Sequence, residues 1–75
     1  MINMNLIHAD NLKPDQLMLG DLIEVGPDIV EVIFIESDST GDNYSVQIEN
    51  EFGEKDFAEF SYTDSIPLYV FTEDE

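Results

Sequence analysis

The side chains of this sequence that could take part in chemistry are almost all carboxylates. The chain has 18 Asp and Glu residues against two lysines, Lys13 and Lys55, no Arg and no Cys, and its formal net charge is −16. Two neighbouring carboxyl groups can hydrolyse a glycoside when a cleft gives them different pKa values. A chain of 75 residues leaves little room for such a cleft, and it offers no Cys nucleophile. The sequence therefore favours a protein that is not an enzyme.

A metal site is the second kind of chemistry that carboxylates suggest. The segment DSTGDN at 38–43 is rich in oxygen ligands. An EF-hand loop needs Gly at its sixth position, a Glu at its twelfth and a helix on each side. Gly41 is at the fourth position and the flanks are strand-like, so we predict a polar hairpin loop, with loose cation binding as the alternative. We expect no cofactor and no metal, and we interpret His8 as a surface residue.

The carboxylates must be positioned by β-strands, because the apolar residues recur mostly at every second position or in β-branched runs. Gly and Pro punctuate these runs at Gly26-Pro27 and Gly53. A weak edge strand is predicted at 1–8. Residues 12–18 are predicted to form a short helical turn or an ordered loop, and Pro14 suits the first position of such a turn. The further strands are predicted at 21–25, 29–36, 43–50, 55–62 and 68–71, joined by short turns and a polar loop at 37–42.

Five strands at this spacing indicate a single all-β domain. The stretch from 17 to 71 resembles an SH3-like barrel, in which a Gly-Asp pair, here Gly20-Asp21, starts the first strand. That resemblance implies a small five-stranded antiparallel barrel over 21–71. An N-terminal strand or turn at 1–20 would pack on it, and 72–75 would form an acidic tail. A flat sheet with a helical turn on one side is the alternative architecture.

Composition limits the partners of this domain. Leu, Ile, Val and Phe make up 24 of the 75 residues, which is enough apolar surface for a folded chain despite the charge. Two lysines cannot neutralise a phosphate backbone, so we expect no direct binding to nucleic acid or to an anionic membrane. No secretory signal or membrane span is evident, and we expect a cytoplasmic protein. A basic protein surface is the favoured partner.

The spacing of the carboxylates along a strand suggests which kind of basic protein this partner is. Same-face residues of a strand repeat every 6.6–6.8 Å or so, about twice the 3.4 Å advance of phosphates along one DNA strand. A sheet could therefore imitate DNA and occupy the groove of a DNA-binding protein. The acidic residues predicted to contact the partner are Glu24, Asp28, Glu31, Glu36, Asp38, Glu49, Glu51, Glu54, Asp56, Glu59 and Asp64. Phe52, at a hairpin tip between Glu51 and Glu54, is predicted to be an apolar anchor.

The small size and acidity of the chain resemble the DNA-mimic inhibitor proteins of bacteriophages. Asp64-Ser65-Ile66 is similar to the acid-Ser-Ile motif of the phage uracil-DNA glycosylase inhibitors, where it lies on an edge strand in the DNA-contacting groove of the enzyme. The resemblance implies an inhibitor of a restriction, CRISPR, nucleoid or repair protein, acting in the cytoplasm of an infected host.

Other interpretations stay open at this stage. The acidic surface would also suit a protein-interaction or assembly module, or it would serve solubility or adaptation to high salt. A continuous acidic band would favour mimicry, and acids scattered around an apolar patch would favour the module. The chain could be a monomer or a homodimer. The aromatic residues other than Phe52 are predicted to pack in the core or on the sheet, and these are Phe34, Tyr44, Phe57, Phe60, Tyr62, Tyr69 and Phe71.

Overall fold

The computed structural model describes the backbone of residues 3–74 and the side-chain environments of residues 5–72. These residues form six antiparallel strands and one short 3-10 turn. The strands are β1 (Asn3–Leu12), β2 (Leu22–Val25), β3 (Asp28–Ser37), β4 (Asn43–Glu49), β5 (Lys55–Ser61) and β6 (Ile66–Asp74). The 3-10 turn covers Pro14–Gln16, where the sequence predicts a helical turn. The all-β prediction is confirmed.

The six strands lie in one sheet in the order β1-β6-β2-β3-β4-β5. The prediction of a closed five-stranded barrel is not met, because the sheet is open and β1 is its sixth strand. The sequence predicts a weak strand that ends at residue 8, because the asparagines of this stretch disfavour strands. Pairing with β6 extends β1 to Leu12. That pairing also extends β6 through Asp74, over residues predicted to form a tail.

The sheet is curled rather than flat. On a flat sheet β5 and β6 would lie four strand spacings apart, about 19 Å. The connection at 62–65 would reach at most about 18 Å even if it were fully extended. It is not extended, because the Asp64 N–H donates to the Ser61 carbonyl at 2.8 Å. The curl brings β5 towards β6 and encloses the core.

The core lies on one side of the sheet. Ile23 and Val30 face each other across β2 and β3, and Val32 faces Ile48 across β3 and β4. The buried apolar residues of the described chain are Leu17, Ile23, Val30, Val32, Val46, Ile48 and Ile66. We call the side that bears these strand residues the first face. The opposite side, which bears Glu31, Phe34, Gln47 and Phe57, is the second face.

Two glycines shape the hairpins at one end of the sheet. Val25 pairs with Asp28, so Gly26 and Pro27 form a two-residue turn. Gly26 has φ +59°, as the first position of a type II′ turn requires. Gly53 has φ +80° in the turn between β4 and β5. These two turns bring the predicted partner-binding residues Asp28, Phe52 and Glu54 to the same region.

Candidate protein-binding surface

The second face of the sheet carries ordered rows of carboxylates and aromatic rings. Residues that oppose each other in antiparallel strands share a face, so the register of β3, β4 and β5 defines these rows directly. Three rows follow: Glu36–Ser45–Glu59, Phe34–Gln47–Phe57 and Glu31–Glu49–Lys55. An aromatic row thus lies between two rows that contain acids.

A β-bulge produces this arrangement. Val32 pairs with Ile48 and Phe34 pairs with Gln47, so Ile33 is an extra residue in β3. An extra residue inverts the alternation of side chains along a strand. Phe34, which would otherwise follow Val32 into the core, therefore lies on the second face and is 52% exposed.

The aromatic residues that the sequence predicts to pack in the core or on the sheet are divided between core positions and exposed positions. Phe60 and Tyr44 do pack against the core. Phe57 is 64% exposed on the edge strand β5, and Phe34, Tyr62 and Phe71 are also more than half exposed. Phe57 precedes Ala58, which faces the core, so alternation directs the Phe57 ring to the second face. Exposed apolar side chains mark a binding surface when they form a contiguous patch, and Phe34 and Phe57 flank Gln47 in one row of the second face.

A groove of about 710 Å³ lies on the second face and includes Glu31 and Glu49 of the third row. Its apolar lining comes from Leu6, Leu22, Pro27, Ile29, Phe52 and Phe71. Its acidic lining comes from Asp28, Glu31, Glu49, Glu51 and Glu54. We call this feature the acidic groove. It brings together six of the residues that the sequence predicts to contact a partner, namely these five acids and Phe52.

Phe52 is held at the rim of the acidic groove by a tightly bonded turn. Asn50 Oδ1 accepts the backbone N–H groups of Phe52 and Glu54, both at 2.9 Å, and Asn50 Nδ2 donates to Glu54 Oε1 at 3.1 Å. Phe52 itself is 78% exposed. A large apolar side chain on a fixed backbone loses little entropy on binding, which suits the predicted role of an anchor.

Three other predicted acids share the second face outside the acidic groove. Glu36 and Glu59 lie on either side of Ser45, two strand spacings or about 9.6 Å apart. Glu24 lies on β2 and accepts a hydrogen bond from the Tyr69 hydroxyl at 3.3 Å. Burial raises the pKa of Tyr69, and the charge and hydrogen bond of Glu24 raise it further.

The remaining three predicted acids lie elsewhere. Asp56 opposes Ile48 and so belongs to the first face at the β5 edge. Asp64 is in the β5–β6 connection, where its Oδ2 accepts the Ser61 N–H at 2.8 Å. Asp38 begins the loop between β3 and β4. Asp38 and Asp64 therefore lie outside the acidic groove, whereas Asp56 lines a smaller cavity together with Asp28 and Glu54 of the groove.

Asp38 organises its own loop. Its Oδ1 accepts the Thr40 hydroxyl at 2.8 Å and the Asp42 N–H at 3.1 Å, and its Oδ2 accepts Asn43 Nδ2 at 3.0 Å. The hydrogen bonds from Asn43 and then Thr40 lower the pKa of Asp38 to about 2. The loop is a polar hairpin loop, as predicted. No group of three or more acidic or His side chains in the described residues is placed to hold a metal ion.

The motif Asp64-Ser65-Ile66 is not presented on an edge strand. Ile66 starts β6, which lies between β1 and β2, and its side chain is buried in the core with 1% exposure. His8 is exposed, as predicted, and its Nε2 lies 2.9 Å from Asn11 Oδ1.

Sequence reasoning missed the apolar part of the site except for Phe52. Leu6, Leu22, Ile29 and Phe71 line the acidic groove, but each looks like an ordinary core residue in the sequence. The bulge at Ile33 has no Gly or Pro to mark it, so the outward position of Phe34 carries no sequence signal.

Comparison with protein-family models finds no match for this chain, and comparisons with curated proteins and with solved structures find none either. Within residues 3–74, no helix has the length and apolar character needed to cross a membrane.

Proposed function

We propose that this chain is a non-enzymatic inhibitor that binds a basic, DNA-binding protein through the second face and so competes with DNA. The observation that carries the proposal is the acidic groove together with the adjoining rows of Glu and Phe residues. Carboxylates on one face attract a basic surface over long range and speed association. Exposed rings among them supply the apolar contacts that usually dominate affinity.

The register changes how such mimicry would work. Acids do not recur at every second position of a strand, because Phe34 and Phe57 alternate with Glu36 and Glu59. A ladder of carboxylates at phosphate spacing is therefore not the basis of the proposal. The partner would instead recognise a patch in which acids surround apolar side chains. A basic groove that also holds an apolar pocket would fit it best.

We also infer that the five strands β2 to β6 correspond to the predicted SH3-like barrel, with β1 added outside it. Support comes from the meander β2-β3-β4-β5 and from β6, which returns beside β2. The curl of the sheet also turns β5 towards β6, the direction that barrel formation requires, although the sheet stays open. Action in the cytoplasm of a phage-infected host remains part of the same proposal.

The test begins with proteins captured from a cell lysate by the immobilised chain at low salt. Each purified candidate is then bound to a labelled DNA duplex, and this chain is titrated in while fluorescence anisotropy is recorded. The proposal expects release of the duplex, with an inhibition constant that weakens as salt rises. A partner that holds its duplex while bound to this chain would contradict it.

Matched variants separate the second face from net charge alone. Glu31→Gln, Glu36→Gln and Glu59→Gln together remove three charges from the second face. Asp15→Asn, Asp42→Asn and Asp56→Asn remove three charges from outside it. We expect the inhibition constant of the first triple variant to weaken at least about tenfold and that of the second to weaken much less. Equal losses would indicate attraction by net charge without a site.

An interaction or assembly module is the second candidate function, and the Phe34–Gln47–Phe57 row favours it. A module that relies on these rings would bind a partner that is not a nucleic-acid-binding protein. Its complex would survive high salt and would not be displaced by duplex DNA. The same capture experiment, washed at high salt, distinguishes the two functions.

A further inference from the structure

The strand β1 forms one edge of the sheet and differs in charge from the rest of the molecule. No Asp, Glu, Lys or Arg occurs between Asn3 and Ala9, although such residues make up 27% of the chain. Every side chain from Asn5 to Asn11 is exposed. The opposite edge, β5, carries Lys55, Asp56 and Glu59. Charged residues are a common protection against edge-to-edge pairing, and β1 has none in this stretch.

A β-bulge limits the part of β1 that another strand can join. His8 pairs with Tyr69 and Asp10 pairs with Leu68, so Ala9 is an extra residue in β1. A bulge interrupts regular pairing at an edge. The regular portion of the edge is therefore the stretch from Asn3 to His8.

The regular portion carries apolar side chains on both faces. Leu6 pairs with Phe71 on the second face, and Ile7 pairs with Val70 on the first face. All four are between 40% and 55% exposed. In the described residues, Val70 to Asp74 of β6 pair with β1 alone, since the pairing of β2 with β6 is confined to Leu68 and Tyr69. The two strands thus form a ribbon with exposed apolar residues on each side.

We propose that β1 pairs antiparallel with β1 of a second copy of this chain. A two-fold axis perpendicular to the sheet would join the two six-stranded sheets into one continuous sheet. Such an axis places one residue opposite its own copy, because opposed residues must share a face. Centring on Leu6 uses Met4 to His8 and avoids the bulge at Ala9. Leu6 then opposes Leu6, and the row Phe71–Leu6 continues into the second copy.

Charge explains why the occupant is a second copy rather than a basic partner. A basic strand gains no attraction from an uncharged edge and is drawn to the second face instead. The acids near the edge are Asp10 beyond the bulge and Glu73 and Asp74 on β6, opposite Met4 and Asn3. Two copies therefore repel each other mainly at longer range, where salt screens the interaction. Added salt strengthens this dimer, whereas it weakens binding to a basic protein.

Cysteine cross-linking tests the pairing directly, because the chain has no Cys of its own. Opposed residues in antiparallel strands have Cα atoms about 4.5–5.5 Å apart, within the range that a disulfide spans. Leu6→Cys is oxidised mildly at 0.05 M and 0.5 M NaCl, and the dimer is measured on non-reducing gels. Phe57→Cys, exposed on the β5 edge, is the matched control. We expect cross-linking of Leu6→Cys that increases with salt and little cross-linking of Phe57→Cys.

Sedimentation equilibrium of the unaltered full chain gives the independent measurement, with twice the mass of one chain expected at 0.5 M NaCl. Leu6→Lys places two lysines opposite each other and should weaken the dimer at least about tenfold. Phe57→Lys should leave it unchanged, and circular dichroism checks that both variants fold. The proposal is overturned if the chain is a monomer throughout, if Leu6→Lys still dimerises as well, or if Phe57→Cys cross-links as readily as Leu6→Cys. These measurements involve no DNA-binding partner, so their outcome does not depend on the outcome of the inhibition test.

Discussion

Tyr69 donates a hydrogen bond from its hydroxyl group to Glu24 Oε1 and so links β6 to β2 on the second face. Leu22 is the direct partner of Tyr69, which makes Glu24 its diagonal neighbour across the strand pair. Burial is the main cause of the raised pKa of Tyr69, and Glu24 adds to it. Mutation of Glu24 can therefore separate its contribution to the pKa of Tyr69 from that of burial.

Glu24→Gln should lower the pKa of Tyr69 towards the ordinary value of about 10 without reaching it, because burial is unchanged. An NMR pH titration that resolves the Tyr69 ring measures this. Because the pKa of Tyr69 is raised in the folded state, its contribution to the free energy of unfolding is fully present below about pH 10. That contribution is lost as the pH rises through the pKa of Tyr69 in the folded state. Glu59→Gln is the control with the same change of charge, and an equal shift in that variant would contradict the local link.

Asp38→Ala should destabilise the chain most at neutral pH. The folded-state pKa of Asp38 is about 2, below its ordinary value, so its contribution is present above about pH 4 and is lost as the pH falls towards 2. Urea unfolding of both proteins at pH 6 and pH 2 gives the difference at each pH. Asp42→Ala removes a charge from the same loop but keeps the bonds that Asp38 accepts. A difference for Asp38→Ala that does not shrink at pH 2 would count against this assignment.

Replacing Phe34 and Phe57 together by Ser should weaken binding to the partner at least about tenfold, since exposed rings at the centre of an interface carry much of its affinity. The free energy of unfolding should change by less than about 1 kcal/mol per site, because both rings are more than half exposed. Calorimetric binding and urea unfolding give the two quantities. Tyr62→Ser, an exposed ring outside the second face, is the matched control. Unaltered affinity in the double variant would remove these rings from the binding surface.

Ile23→Ala should reduce the free energy of unfolding by about 2–5 kcal/mol, because Ile23 is fully buried in the core. Ile29→Ala removes the same atoms from the second face opposite Glu24, where the side chain is only half-buried. Its effect should be clearly smaller in the same urea unfolding experiment. Comparable losses would mean that the second face is packed like a core.

Salt should stabilise the folded chain. A net charge of −16 on 75 residues opposes compaction, and screening shortens the range of that repulsion. The melting temperature, followed by circular dichroism at low protein concentration, should rise by several degrees between 0.01 M and 0.3 M NaCl. Leu6→Lys, measured alongside, removes any contribution from dimerisation. A melting temperature that does not respond to salt would show that the acids are already well separated.

Local sequence patterns predict much of this fold. The alternation of Tyr44, Val46 and Ile48 predicts both β4 and its inward face, and Gly26-Pro27 and Gly53 predict two hairpins. These features depend on residues close together in the chain. The polar loop after β3 and the turn at Pro14 follow from local chemistry in the same way.

The features that sequence could not supply depend on pairing between distant strands. β1 is a full strand because β6 lies beside it, although the two are separated by most of the chain. The bulge at Ile33 arises from the pairing of β3 with β4, and it decides that Phe34 and Glu36 share the second face. The residue types alone thus identify the acids as candidates for partner binding. Which of them line the acidic groove, and which have a structural role as Asp38 does, depends on the register of the strands.

The position of β6 has a consequence for how the chain folds during synthesis. β6 follows the other five described strands in sequence, yet it lies between β1 and β2 and is the only strand that joins β1 to the others in the described sheet. A ribosome-bound chain that lacks Ile66 and the residues after it can form the β2–β5 meander, but β1 has no neighbour to pair with. Its uncharged, apolar edge would then stay unpaired on both sides. Synthesis of β6 is therefore the step that protects β1, and products truncated before Ile66 would leave an uncharged, apolar edge open to aggregation.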